Sequence, residues 1–236
     1  MKNVGKYFAA VGVVAFAILA STLPAAAESV EVAPGVQVTK RTYAAAPVNE
    51  QPFFGFAAKS TEDKAGDEKF VSAIVGATGS REKAFDETTL RAWRAVNAGK
   101  IREAALRFNQ AFLILPEQSA VYHGFAVVAQ FRFNDLEAAD ELFKVALKQP
   151  NPVKALRADY GRMLLIAKRP RDAQPVLEQA VKDAPDFGDA WTNLAIARFQ
   201  NGDAAACAAV EEAAKKRPSN NSGADLTAVR NAAHCK

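Results

Sequence analysis

Two histidines and two cysteines carry most of the chemical potential of this sequence, and their spacing limits what they can do. His234 adjoins Cys235, the pairing that a thiolate nucleophile and its base would need. Neighbouring side chains on a helix point about 100° apart and seldom meet. A penultimate residue is also a frayed place for an active site, so the pair reads as structural. His123 sits in Tyr122-His123-Gly124-Phe125, an apolar setting where imidazole serves packing more readily than base catalysis. An enzyme with an unrecognised site near His123 and Asp159 is the weakest of three functional readings. The carboxylate pairs Asp140/Glu141 and Glu211/Glu212 fall on helix faces expected to be exposed, and read as solvating charge. Lys215-Lys216-Arg217 stands where a helix C-terminus favours cations. The sequence holds no Gly-rich phosphate loop, paired-cysteine metal motif, His-Glu-x-x-His or Gly-x-Ser-x-Gly elbow. The chain is therefore expected to be no enzyme, with no metal and no cofactor.

Export frames the cysteines. Residues 1–27 read as a secretory signal peptide: Lys2 and Lys6, then the apolar run Val11–Ala20, then Ala25-Ala26-Ala27 before Glu28. The strongly apolar part is shorter than the ~20 residues of a spanning helix, so cleavage is expected over an uncleaved anchor, and the periplasm is the expected compartment. Without Lys2 and Lys6 the chain has 28 basic against 26 acidic residues, too small an excess for a nucleic-acid footprint. An even pair of cysteines in an oxidising compartment favours a disulfide between Cys207 and Cys235. Two antiparallel helices rising ~1.5 Å per residue bring the pair within about a turn of one level. Spacing does not say whether they face each other.

The elements that must position any site repeat. Gly99–Pro116 reads as one helix closed by proline, with Ala104, Phe108 and Ala111 on one face before Pro116. The cassette returns at Ala139, Phe143, Ala146 and Asn151 (between Pro150 and Pro152), at Ala173, Leu177, Ala180 and Pro185, and at Ala206, Val210, Ala213 and Pro218. The steps between first alanines are 35, 34 and 33 residues. Such a period, with small, large, small and proline in register, resembles the tetratricopeptide repeat, a helix–turn–helix unit. The leading helices follow the family less evenly. Trp191, Leu194 and Ala195 fit well, whereas Arg157 stands where a large apolar residue is usual.

The resemblance implies an all-α, right-handed α-solenoid of about four helix–turn–helix repeats with a C-terminal capping helix. The expected divisions are a signal peptide at 1–27, an extended or disordered lead at 28–66, a short helix and linker at 67–85, the array at 86–218, and a loop and capping helix at 219–236. Pro175, inside a second helix, is tolerable only in its first turn. Phe53-Phe54-Gly55-Phe56 in the lead either docks on the solenoid's own surface or is a motif for a partner.

The resemblance also implies a concave groove lined by leading helices that takes a segment of another protein. Carried onto this chain, that groove holds Trp93, Asn97, His123, Val127, Gln130, Asp159, Arg162, Asn193 and Gln200. Asn193 falls where the family often keeps an asparagine that bonds a ligand's backbone. Trp93 is either a binding hot spot or a core residue of the first repeat. The expected function is an exported protein–protein interaction scaffold for an envelope partner, binding protein or peptide and no small-molecule substrate. The alternative is an oligomerising or membrane-anchored subunit of an envelope complex.

Overall fold

The computed structural model describes residues 28–236; the expected signal peptide at 1–27 lies outside the described residues. A β-hairpin comes first, β1 (Ser29–Ala33) antiparallel to β2 (Val36–Thr39). Two 3-10 turns follow at Val48–Glu50 and Pro52–Phe56. Ten helices complete the described residues: α1 (Thr61–Thr78), α2 (Arg81–Asn97), α3 (Ile101–Ile114), α4 (Ser119–Phe133), α5 (Leu136–Ala146), α6 (Leu156–Ile166), α7 (Pro170–Asp183), α8 (Gly188–Gln200), α9 (Ala206–Lys215) and α10 (Asn220–Ala232). Four antiparallel pairs, α2/α3 to α8/α9, stack side by side as an all-α repeat solenoid.

The repeating cassette explains the stack. Ala104, Phe108 and Ala111 are fully buried, as are Ala139, Phe143 and Ala146 in the next pair. Small residues let the helix backbones approach, and the large one fills the gap between them. Gly124 on α4 shows how close the approach is: a Cβ there would stand 2.2 Å from the Phe108 ring. The helical pairs turn alike. Gly99, Asn134, Lys168 and Gly202 each take a left-handed φ, of 70°, 53°, 58° and 70°. Gly and Asn accept that backbone readily, whereas Lys168 carries the steric cost of a Cβ.

Several boundaries differ from expectation. The first helix starts at Thr61 because Ser60 and Asp63 form a reciprocal capping box. The array starts at Arg81, where the Ser80 hydroxyl accepts from the Lys83 N–H. Pro175 stands in the second turn of α7, because Pro170 is already helical. At the C-terminus the expected loop is helical from Asn220 onward, and the Ser219 N–H donates to Asp189 at 2.7 Å. Helix α10 packs on α8 and α9, and a disulfide joins Cys207 to Cys235 with 5.3 Å between the Cα atoms.

The largest correction concerns the lead, which is an ordered strap rather than an extended or disordered one. Its backbone is held by side chains of the array. Asn109, 1% exposed on α3, donates to the carbonyls of Asn49 and Gln51 and accepts from the Phe54 N–H. Glu50 accepts three hydrogen bonds from Arg102 and one from Arg132. Glu141 accepts from the Thr39 N–H, and Tyr43 stacks on Phe133 with ring centroids 3.7 Å apart. Phe53 inserts between Phe112 and Phe125, so the aromatic motif docks on its own solenoid. That insertion bends the backbone: Phe53, Phe54, Gly55 and Phe56 are all left-handed, with φ between 54° and 61°. Such backbone costs ~1–2 kcal/mol for each non-glycine residue, offset by the burial of Phe53 and the Asn109 bonds.

The carboxylates Asp140 and Glu141 are corrected with it. Neither is free solvating charge, because Glu141 holds the strap and Asp140 accepts from Tyr160, Lys144 and Arg169.

Candidate functional site

The leading helices α2, α4 and α6 present one face in succession, and a cavity of about 480 Å³ opens across them. From α2 come Trp93, Val96 and Asn97; from α4, His123, Val127, Gln130 and Phe131; from α6, Asp159 and Arg162. Phe143, Val153 and Ala155 complete the lining. Helical spacing accounts for this, since residues three, four and seven apart share a face. The apolar share is large, and the polar groups stand at a few points, the usual makeup of a binding concavity.

At its floor lies His123, 1% exposed, its Nε2 2.9 Å from Asp159 Oδ2. With the carboxylate accepting, Nε2 carries a proton; Nδ1 is buried and has no hydrogen-bond partner among the described residues. The imidazole ring lies 4.6 Å from the Trp93 ring and 5.6 Å from Phe143. Trp93 is half-buried and also meets Phe108 edge-on at 5.3 Å. It is therefore both a packing residue of the first repeat and a wall of the cavity.

Seven of the nine expected groove residues come together here: Trp93, Asn97, His123, Val127, Gln130, Asp159 and Arg162. Two do not. Asn193 is buried, donates to the Ala158 carbonyl and lies 3.4 Å from Arg162 Nη1, so its amide is occupied inside the stack. Gln200 is exposed at the C-terminal end of α8, away from the cavity. Arg162 also bonds Asp225 of α10, which ties the C-terminal helix to this face. Phe131, 61% exposed, and Val153 were absent from the expected set. One signal for Phe131 was available, a phenylalanine one step beyond Gln130 on a helix already apolar all round. Val153 lies in the connection between α5 and α6, where no periodicity points.

Chemically the arrangement offers an apolar concavity with a few polar groups at its walls. His123 and Asp159 form a pair, but no hydroxyl or thiol side chain lines the cavity beside them. Among the described residues no cluster of three or more His, Cys, Asp or Glu is placed to hold a metal ion.

A model of the tetratricopeptide repeat family matches residues 164–228, which span the end of α6 to α10. No curated protein matches. Three solved structures share the fold. PilF of Pseudomonas aeruginosa is 21% identical, with a TM-score of 0.55 over 65% of this chain and 71% of its own. YrrB, described as a TPR protein with an unusual peptide-binding site, is 16% identical, with a TM-score of 0.50 over 71% of this chain and 85% of its own. The Cut9–Hcn1 assembly of the APC/C is 18% identical at a TM-score of 0.51, over 70% of this chain but only 37% of that one. The repeat register, the family match over residues 164–228 and the stacked helix pairs agree: the chain carries tetratricopeptide repeats and shares the fold of that family's solved structures.

Proposed function

We propose that this protein is an exported interaction scaffold that holds a segment of an envelope protein in the groove across α2, α4 and α6. One observation carries the reading: residues from three successive leading helices meet around a single apolar cavity with an unpartnered buried imidazole nitrogen. A stacked array keeps such a concavity rigid, so a ligand binds without ordering the site. Convex-face docking is disfavoured beside the strap, because the hairpin and Phe53 already cover α3 and α5 there. The peptide-binding description of YrrB supports the same use of the fold. Export rests on the sequence of residues 1–27, and among the described residues no helix is long and apolar enough to cross a membrane.

The test is site-specific photocrosslinking in the native host. A crosslinker at Phe131 should yield a discrete adduct with another envelope protein, while one at exposed Lys182 on α7 should not. Adducts only between copies of this chain would favour the oligomerising subunit instead. Intact precursor in the membrane fraction, beginning at Met1, would overturn cleavage and export in soluble form.

A further inference from the structure

The groove has a chemical direction. Beside the first cavity lies a second concavity of about 510 Å³, and Trp93 and Val153 line both, so the two adjoin. Helix α2 supplies its wall as one stripe, Glu82, Asp86, Thr89, Leu90 and Trp93, at steps that keep one helix face. Glu82 and Asp86 are both exposed, and no Lys or Arg lines this concavity. In the first cavity Arg162 is already engaged by Asp225, and Asp159 faces His123. The cations nearest Glu82 in sequence, Arg81 and Lys83, line neither cavity, and Arg81 donates to the Ile114 carbonyl. The concave face is thus acidic at its α2 end, although the described chain is slightly basic.

The central cavity constrains the other end of a ligand. Its walls are Trp93, Val127 and Phe143, apolar and aromatic, and about 480 Å³ lies within the ~300–1,000 Å³ of sites that enclose a sizeable ligand group. The unpartnered Nδ1 of His123, an acceptor when the ring is neutral, favours a group that donates a hydrogen bond. Tyrosine and tryptophan combine an apolar body with such a donor, which phenylalanine lacks.

Resting on the groove reading above, we infer that the occupant is a peptide segment with a tyrosine or tryptophan for the central cavity and a lysine or arginine placed over Glu82 and Asp86. Long-range attraction to the acidic end steers the segment, and burial of the aromatic ring anchors it.

The experiment is selection of binders from a displayed library of random dodecapeptides on residues 28–236, at low salt. Recovered peptides should be enriched in tyrosine or tryptophan with a basic residue at one consistent offset. A Glu82→Gln/Asp86→Asn variant should bind them about fivefold more weakly, a difference that fades with added salt. Trp93→Ala and Phe131→Ala should each weaken them at least tenfold; Phe131 is exposed, so its variant retains the fold, which circular dichroism checks. Aromatic peptides that need Phe131 but show no basic enrichment would overturn the inference and leave the groove standing. Peptides indifferent to both Trp93→Ala and Phe131→Ala, or no recovered peptide at all, would overturn the groove and the inference together.

Discussion

Glu50 is a carboxylate that sequence reading leaves in an unstructured lead and the fold buries between two arginines. The hydrogen bonds from Arg102 hold its carboxyl below the ordinary 4.5; burial pushes it back up, and the charges of Arg102 and Arg132 add to the lowering. A depressed carboxylate contributes stability that is full above its ordinary value and is lost as pH falls through the folded one. The strap should therefore loosen at pH below 4.5 before the array unfolds, seen as early proteolytic cleavage between Thr39 and Ser60. Glu50→Gln should reproduce that sensitivity at neutral pH and cost about 2 kcal/mol, because it weakens a bonded charge network. Equal cleavage of variant and parent would show that the strap does not depend on Glu50. Trp93 belongs to the same scale. Because its ring touches both Phe108 and His123, Trp93→Ala should lower stability by about 2 kcal/mol as well as binding, whereas Phe131→Ala should affect binding alone. Chemical denaturation of the two variants separates these effects.

Between elements, contact distance sets the tolerance. A Cβ on Gly124 would overlap the Phe108 ring, and one on Gly161 would lie 2.4 Å from Leu177. Each ring or side chain is fully buried and has nowhere to move. Gly124→Ala should destabilise by about 1–3 kcal/mol despite the better helix propensity of alanine; a denaturant midpoint equal to that of the parent would refute the close packing. The turns give the opposite case. Lys168 is left-handed where the other three pairs use Gly or Asn, so Lys168→Asn should stabilise by about 0.5–1 kcal/mol. Thermal denaturation reads it directly.

Across the whole molecule, the disulfide and the strap hold opposite regions of the array. Cys207 to Cys235 closes a separation of 28 residues and ties α10 to α9, which otherwise relies on a modest apolar face of Leu226 and Val229. Chain-entropy reasoning gives ~3.5 kcal/mol for a loop of this length. Reduction should accordingly release the C-terminal helix first, with amide exchange rising in α10 and the end of α8 before α4 and α5. Mass spectrometry of alkylated protein from its native compartment should find the crosslinked peptide; two alkylatable thiols without reduction would show that the bond does not form there.

The sequence by itself determined the repeat. Its signals are local and periodic, a buried alanine, a buried large residue and a closing proline recurring near 34 residues, and such a pattern admits one packing. The resemblance to that repeat assigned Trp93, His123 and Asp159 to the groove face, because corresponding positions of stacked leading helices share it. Only tertiary structure decided the rest. Asn109 clamps a strap 58 residues away and Glu50 reaches Arg132 across 82, and no local pattern encodes pairs so distant. Asn193 shares the face periodicity of the groove but is occupied by Ala158 and Arg162, a competition visible only once the helices are stacked. Cys207 and Cys235 lay at compatible heights by counting residues, but that they face each other depends on how α10 rotates against α9, which packing alone sets.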